Sequence, residues 1–141
     1  MKTYNLEAKT VCINTYMKMF NKLLADRSLP TLKVGIGMST ARELVVKAGR
    51  KDVGINSKVW IGKAVTRAAN FSSIGNKNGN PSLVYSSISY DNFIRQLEKD
   101  NSAQKPKEWF TYHSDEGNGP FYTADIIKKD FYNWISNGMP D

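Results

Sequence analysis

The sequence predicts an α+β domain, an antiparallel or mixed sheet with helices packed on one side, and three stretches carry that prediction. From Leu32 to Val46 an apolar run broken by Gly35 and Gly37 passes through a polar turn around Ser39 to Arg42 and returns as Leu44-Val45-Val46. That reads as strand, turn, strand. Val59-Trp60-Ile61 then meets Gly62, after which Ala64, Val65, Ala68, Ala69 and Phe71 recur at helical spacing, a strand feeding a helix through a glycine turn. Ahead of both, residues 5–27 repeat apolar side chains at three- and four-residue steps.

In that first helix Val11 or Ile13, Tyr16, Met17, Phe20, Leu23 and Leu24 give one apolar face between Lys9, Lys18 and Lys22, expected to cover the sheet. Ser28-Leu29-Pro30 ends it. After the central stretch, the turn formers from Gly75 to Pro81 predict a loop, and Leu83-Val84-Tyr85 a short strand. Ser89 or Asp91 is the expected cap of a helix from about Tyr90 to Lys99, with Phe93, Ile94 and Leu97 facing inward. Beyond a polar connector at residues 101–107, Trp109 to Tyr112 and Phe121 to Ala124 flank Ser114 to Pro120 as a hairpin. A last helix over residues 128–135 places Phe131, Trp134 and Ile135 on one side before Gly138 and Pro140 stop it.

At 141 residues the chain is one domain, residues 1–141. No stretch approaches the ~20 apolar residues of a membrane-spanning helix, and the start lacks a secretion signal, so a cytoplasmic protein without a membrane partner is expected. The single cysteine, Cys12, excludes an internal disulfide and is expected to be a buried structural thiol. With one histidine, His113, a histidine-rich metal site is excluded. The net charge of +7 is uneven: residues 1–70 hold thirteen Lys/Arg against four Asp/Glu, residues 71–141 seven against nine. A polyanion such as a nucleoside triphosphate suits that field. Nucleic acid is disfavoured, because the lysines are dispersed rather than interleaved with aromatics.

Val34-Gly35-Ile36-Gly37, then Val59-Trp60-Ile61-Gly62 and the helix with Val65, Ala68 and Ala69, in that order and spacing, resemble the class III nucleotidyl cyclases. The resemblance covers about residues 5–100. It implies a ferredoxin-like cyclase domain lacking its N-terminal strand and hairpin, since nothing before the first helix matches the family's opening third. Those missing pieces carry the two aspartates that hold the Mg or Mn ions, so no metal ligand is expected in this chain. Activity is then expected only when a complementary cyclase half supplies the metal side, and the expected assembly is a homodimer or a pairing with such a half.

For the catalytic helix the resemblance implies an asparagine that orients the ribose and, four residues later, an arginine that stabilises phosphate charge. Thr66 and Asn70 stand at those positions. Arg67 and Lys63 are charges on the same segment that could substitute, although Arg67 projects about 100° around the helix from Thr66; both are equally readable as exposed helix charges. Purine-using members place a hydrogen-bonding residue three positions before the glycine, whereas Val59 stands here, with Asn56 and Ser57 as polar readers nearby. Val59 also reads simply as a buried strand residue. With it, the chain looks most like the bacterial anti-phage cyclases that make cyclic CMP or cyclic UMP. Two other readings stay open, a catalytically inactive cyclase-like module for dimerisation or nucleotide binding and a basic nucleic-acid-binding module.

Overall fold

The computed structural model describes residues 6–41, 44–48 and 57–141, with residues 44–48 and 57–61 described by their backbone. In chain order these form α1 (Leu6–Asp26), β1 (Ile36–Met38), β2 (Leu44–Ala48), β3 (Ser57–Ile61), α2 (Lys63–Ile74), β4 (Leu83–Ser86), α3 (Ser87–Asp100), a 3-10 turn (Pro106–Trp109), β5 (Phe110–Asp115), β6 (Gly119–Ala124) and α4 (Lys129–Ser136). The class is α+β, as expected. Strands β1, β4, β6 and β5 form one mixed sheet in that order, β1 parallel to β4 and the other pairs antiparallel. Strands β2 and β3 pair with each other as a separate antiparallel arm, Leu44 opposite Ile61 and Ala48 opposite Ser57.

Helices lie on both faces of the sheet rather than on one. Strand β4 is buried at every position, because a central strand sandwiched between helices turns alternate side chains into two apolar layers. Leu83 and Tyr85 pack with Val11 of α1 and Phe93 of α3, while Val84 meets Phe71 of α2 and Phe121 of β6. The one-sided expectation failed because Leu83-Val84-Tyr85 is too short to show that both of its faces are apolar.

The two glycines of the first apolar run owe their place to α2. A Cβ on Gly37 would collide with the backbone of Ala68, Phe71 and Ser72, and one on Gly35 with the Ser72 and Gly75 carbonyls. Only a strand without side chains at these points lets the helix backbone lie directly on it.

Helix α1 docks through a different face from the expected one. Its buried residues are Glu7, Thr10, Val11, Asn14 and Thr15, and none after Thr15 is buried. Ile13 and Tyr16 are half exposed, at 49% and 50%. The buried stripe is mostly polar because each group has a partner. Thr10 and Tyr85 share a hydroxyl–hydroxyl bond of 2.6 Å, and the Thr10 hydroxyl also donates to the Glu7 carbonyl. The Asn14 amide donates to Asp125 Oδ1 and the Ile126 carbonyl, and its oxygen accepts from Ser82 Oγ at 2.6 Å. Thr15 Oγ1 accepts the Lys128 N–H. Burial, opposed by the Thr10 bond, pushes the Tyr85 phenol well above its usual pKa. Cys12, one position past Val11, is turned off this stripe and is exposed, not buried.

The third helix starts earlier than its sequence suggests. Ser86, not Ser89 or Asp91, is the N-cap, accepting the Ser89 N–H at 3.3 Å. The expected hairpin forms, and the Asp115 carboxylate closes its turn by accepting from the Asn118 backbone and side-chain nitrogens. These bonds hold the Asp115 carboxyl below its usual pKa, the side-chain bond contributing most.

Candidate functional site: the face of the second helix

Helix α2 begins directly after Gly62, which as N-cap offers no side-chain hydrogen bond. Lys63, Thr66 and Asn70 follow at three- and four-residue steps and form one exposed face of the helix. These three the structure brings together. Thr66 spends its hydroxyl proton on the Gly62 carbonyl, 3.3 Å away, so its oxygen is left to act as an acceptor. Asn70 uses its backbone carbonyl to accept from Ser73 Oγ, and its side chain is exposed.

Arg67 is set apart from that face. Its Nη2 donates to the Asn118 carbonyl at 2.9 Å and its guanidinium lies 5.4 Å from the centre of the Phe71 ring. The side chain thereby ties α2 to the β5–β6 turn, a partner 51 residues away that helical spacing could not reveal. Ser57 and Val59 sit on β3 opposite Ala48 and Val46, which fixes their register; Asn56 lies outside the described residues.

A second polar group occupies the carboxyl ends of the parallel strands β1 and β4. Thr40 Oγ1 and Ser89 Oγ are 2.7 Å apart, Ser86 Oγ donates to Ser89 Oγ, and the Thr40 N–H donates to Ser86 Oγ. These hydroxyls satisfy one another and cap α3. Sequence reading missed this group, although Ser86-Ser87-Ile88-Ser89 after an apolar triplet is a capping signal. Beside it, Ser39 Oγ is buried with no hydrogen-bond partner among the described residues.

Among the described residues no three His, Cys, Asp or Glu side chains converge. No described helix is long and apolar enough to cross a membrane.

Comparison with known proteins adds one relationship. Over 129 residues, 92% of its length, the chain is 45% identical to a Treponema porcinum protein named uridylate cyclase. The aligned stretch is 42% of that relative, so the chain spans about two-fifths of its length. No protein-family model matches the chain. No solved structure matches it.

Proposed function

We propose that the chain is one part of a class III-type nucleotidyl cyclase domain with a ferredoxin-like core, acting on a pyrimidine triphosphate, UTP or CTP. The observation that carries this reading is the 45% identity to a protein named uridylate cyclase across 92% of the chain. The reaction would join the ribose 3′-oxygen to the α-phosphorus while the bond to the β-phosphate breaks. Pyrophosphate leaves, and the hydroxyl proton passes to a base or to solvent. In this reading the exposed face of α2 contributes the phosphate side: Lys63 attracts the triphosphate, and Thr66 and Asn70 orient the ribose by hydrogen bonds. Val59, Ser57 and Asn56 would border the base. Arg67 acts indirectly, by holding the β5–β6 turn against the helix.

Metal-binding carboxylates, Mg or Mn with them, would come from a complementary segment. Two features of the fold support a missing neighbour. Strand β1 pairs on one side only, with β4, among the described residues, and the half of α1 beyond Thr15 leaves Met17, Phe20, Leu23 and Leu24 incompletely covered. A dimer in the cytoplasm, serving antiviral defence, completes the proposal. A second reading, an inactive cyclase-like nucleotide-binding module, is favoured by Thr66 and Asn70 standing where the resemblance implies asparagine and arginine.

The experiment compares the chain alone with a fusion to the part of the Treponema relative outside the aligned stretch, each given the four ribonucleoside triphosphates and Mn²⁺. Cyclic UMP or cyclic CMP from the fusion and none from the chain alone is the expected result. A folded fusion that binds UTP but forms no cyclic product overturns the catalytic reading in favour of the inactive module.

A further inference from the structure

On the face of the sheet opposite α2, a cleft of about 510 Å³ opens between α1, α3 and the segment from Ile126 to Lys129. That volume lies in the range of small-molecule sites, roughly 300–1,000 Å³. Its lining is largely apolar, from Val11, Phe93, Leu97, Trp109, Ile126 and Ile127. A second hollow of about 350 Å³ shares Trp109, Ile126 and Ile127 with it, so the apolar floor continues past the first opening.

The rim is unequal in charge. Lys128 and Lys129 line the cleft, and neither is in an ion pair among the described residues, whereas Lys18, Lys22, Lys105 and Lys107 each have a carboxylate partner. The one acidic side chain on the same lining, Asp100, accepts from the Gln96 amide through both oxygens, at 3.0 and 2.9 Å, and keeps its charge, so the lining carries two lysines against one carboxylate. Helix α4 begins at this rim with no side-chain cap, and Asp130 in its first turn offsets part of the positive end of its dipole. An apolar floor with a net cationic lining selects its ligand by both halves.

We propose that this cleft is a binding site for a small amphiphilic anion, an aliphatic or aromatic body carrying one carboxylate or sulfonate. The body lies on Val11, Phe93, Leu97 and Trp109, and the anionic group is held at Lys128 and Lys129. The proposal is independent of the cyclase reading, because none of these residues belongs to the α2 face.

Cys12 makes the test direct, since it lines the cleft, is exposed and is the chain's single cysteine. The rate of its modification by N-ethylmaleimide is measured against rising decanoate, with decanol and decyltrimethylammonium as neutral and cationic counterparts. Saturable protection is expected with decanoate, about tenfold at ten times its Kd, and weaker protection with the other two. Lys128→Ala with Lys129→Ala should raise the half-protecting concentration about threefold, the modest effect of exposed charges. Leu97→Trp, which fills the cleft, should abolish protection, and Val11→Phe repeats that test should the tryptophan variant fail to fold by circular dichroism. No protection by decanoate, or equal protection by decanol and decyltrimethylammonium, overturns the assignment. Labelling that slows with protein concentration alone assigns the cleft to a second copy of the chain and also overturns it.

Discussion

Replacing Gly37 by alanine tests whether the glycines of the first strand serve packing. The added methyl would meet the backbone of Ala68, Phe71 and Ser72, which are part of a helix and cannot rotate away as a side chain would. Overpacking of this kind costs about 1–3 kcal/mol, and the reduced freedom of the unfolded chain returns about 0.4–1 kcal/mol. The net expectation is a loss of ~1.3 kcal/mol out of a total of ~5–15, or a fall in melting temperature of roughly 4 °C for a chain of this size. Gly117→Ala is the matched control, because its methyl would meet only Asp115 Oδ1 at 3.6 Å, an ordinary contact. Urea denaturation followed by far-UV circular dichroism compares the two, with equal m-values as the check on two-state behaviour. Gly37→Ala within ~0.5 kcal/mol of the control would refute the close-approach argument.

Asn14→Ala should cost about 2–4 kcal/mol, because Ser82 Oγ, Asp125 and the Ile126 carbonyl each lose a bond and Ser82 is itself buried; a loss under ~1 kcal/mol by denaturation would mean the stripe is held by packing alone. Arg67→Ala removes one hydrogen bond and one ring contact, so faster amide exchange is expected at residues 115–119 with little change inside α2, at a cost near 1 kcal/mol. Asp115 has a lowered folded-state pKa, so its contribution is present above the unfolded carboxyl value of ~3.9 and is lost as pH falls through the lower folded value. Asp115→Asn should therefore flatten the fall of the melting temperature below about pH 4; identical acid limbs in both proteins would show that the turn does not sense this carboxylate.

The strand and helix framework was legible because its signals are local. Gly62 followed by small residues at helical spacing is enough to start α2, and Ser114 to Pro120 is enough to close a hairpin. The docking face of α1 was misread because hydrophobicity ranks Ile13 and Tyr16 above Asn14 and Thr15. What buries Asn14 is a set of partners on Ser82, Asp125 and Ile126, which no periodicity encodes. At the candidate site, Lys63, Thr66 and Asn70 could be grouped from spacing alone. The departure of Arg67 to the hairpin could not be read this way, since it depends on where Asn118 ends up.

The order of strands in the sheet bears on how the chain reaches it. Strands β5 and β6 are neighbours in sequence and pair through a short turn, whereas Ile36 of β1 pairs with Leu83 of β4 across the intervening arm and α2. Loop-closure entropy makes the first pairing fast and the second slow. The expected sequence is the β5–β6 hairpin, then β4 added along β6, then the β1–α2–β4 crossover closing as one step. Since Gly35 and Gly37 touch the backbone of α2, that last step belongs to the glycines, and variants there should slow refolding as well as weaken the folded state.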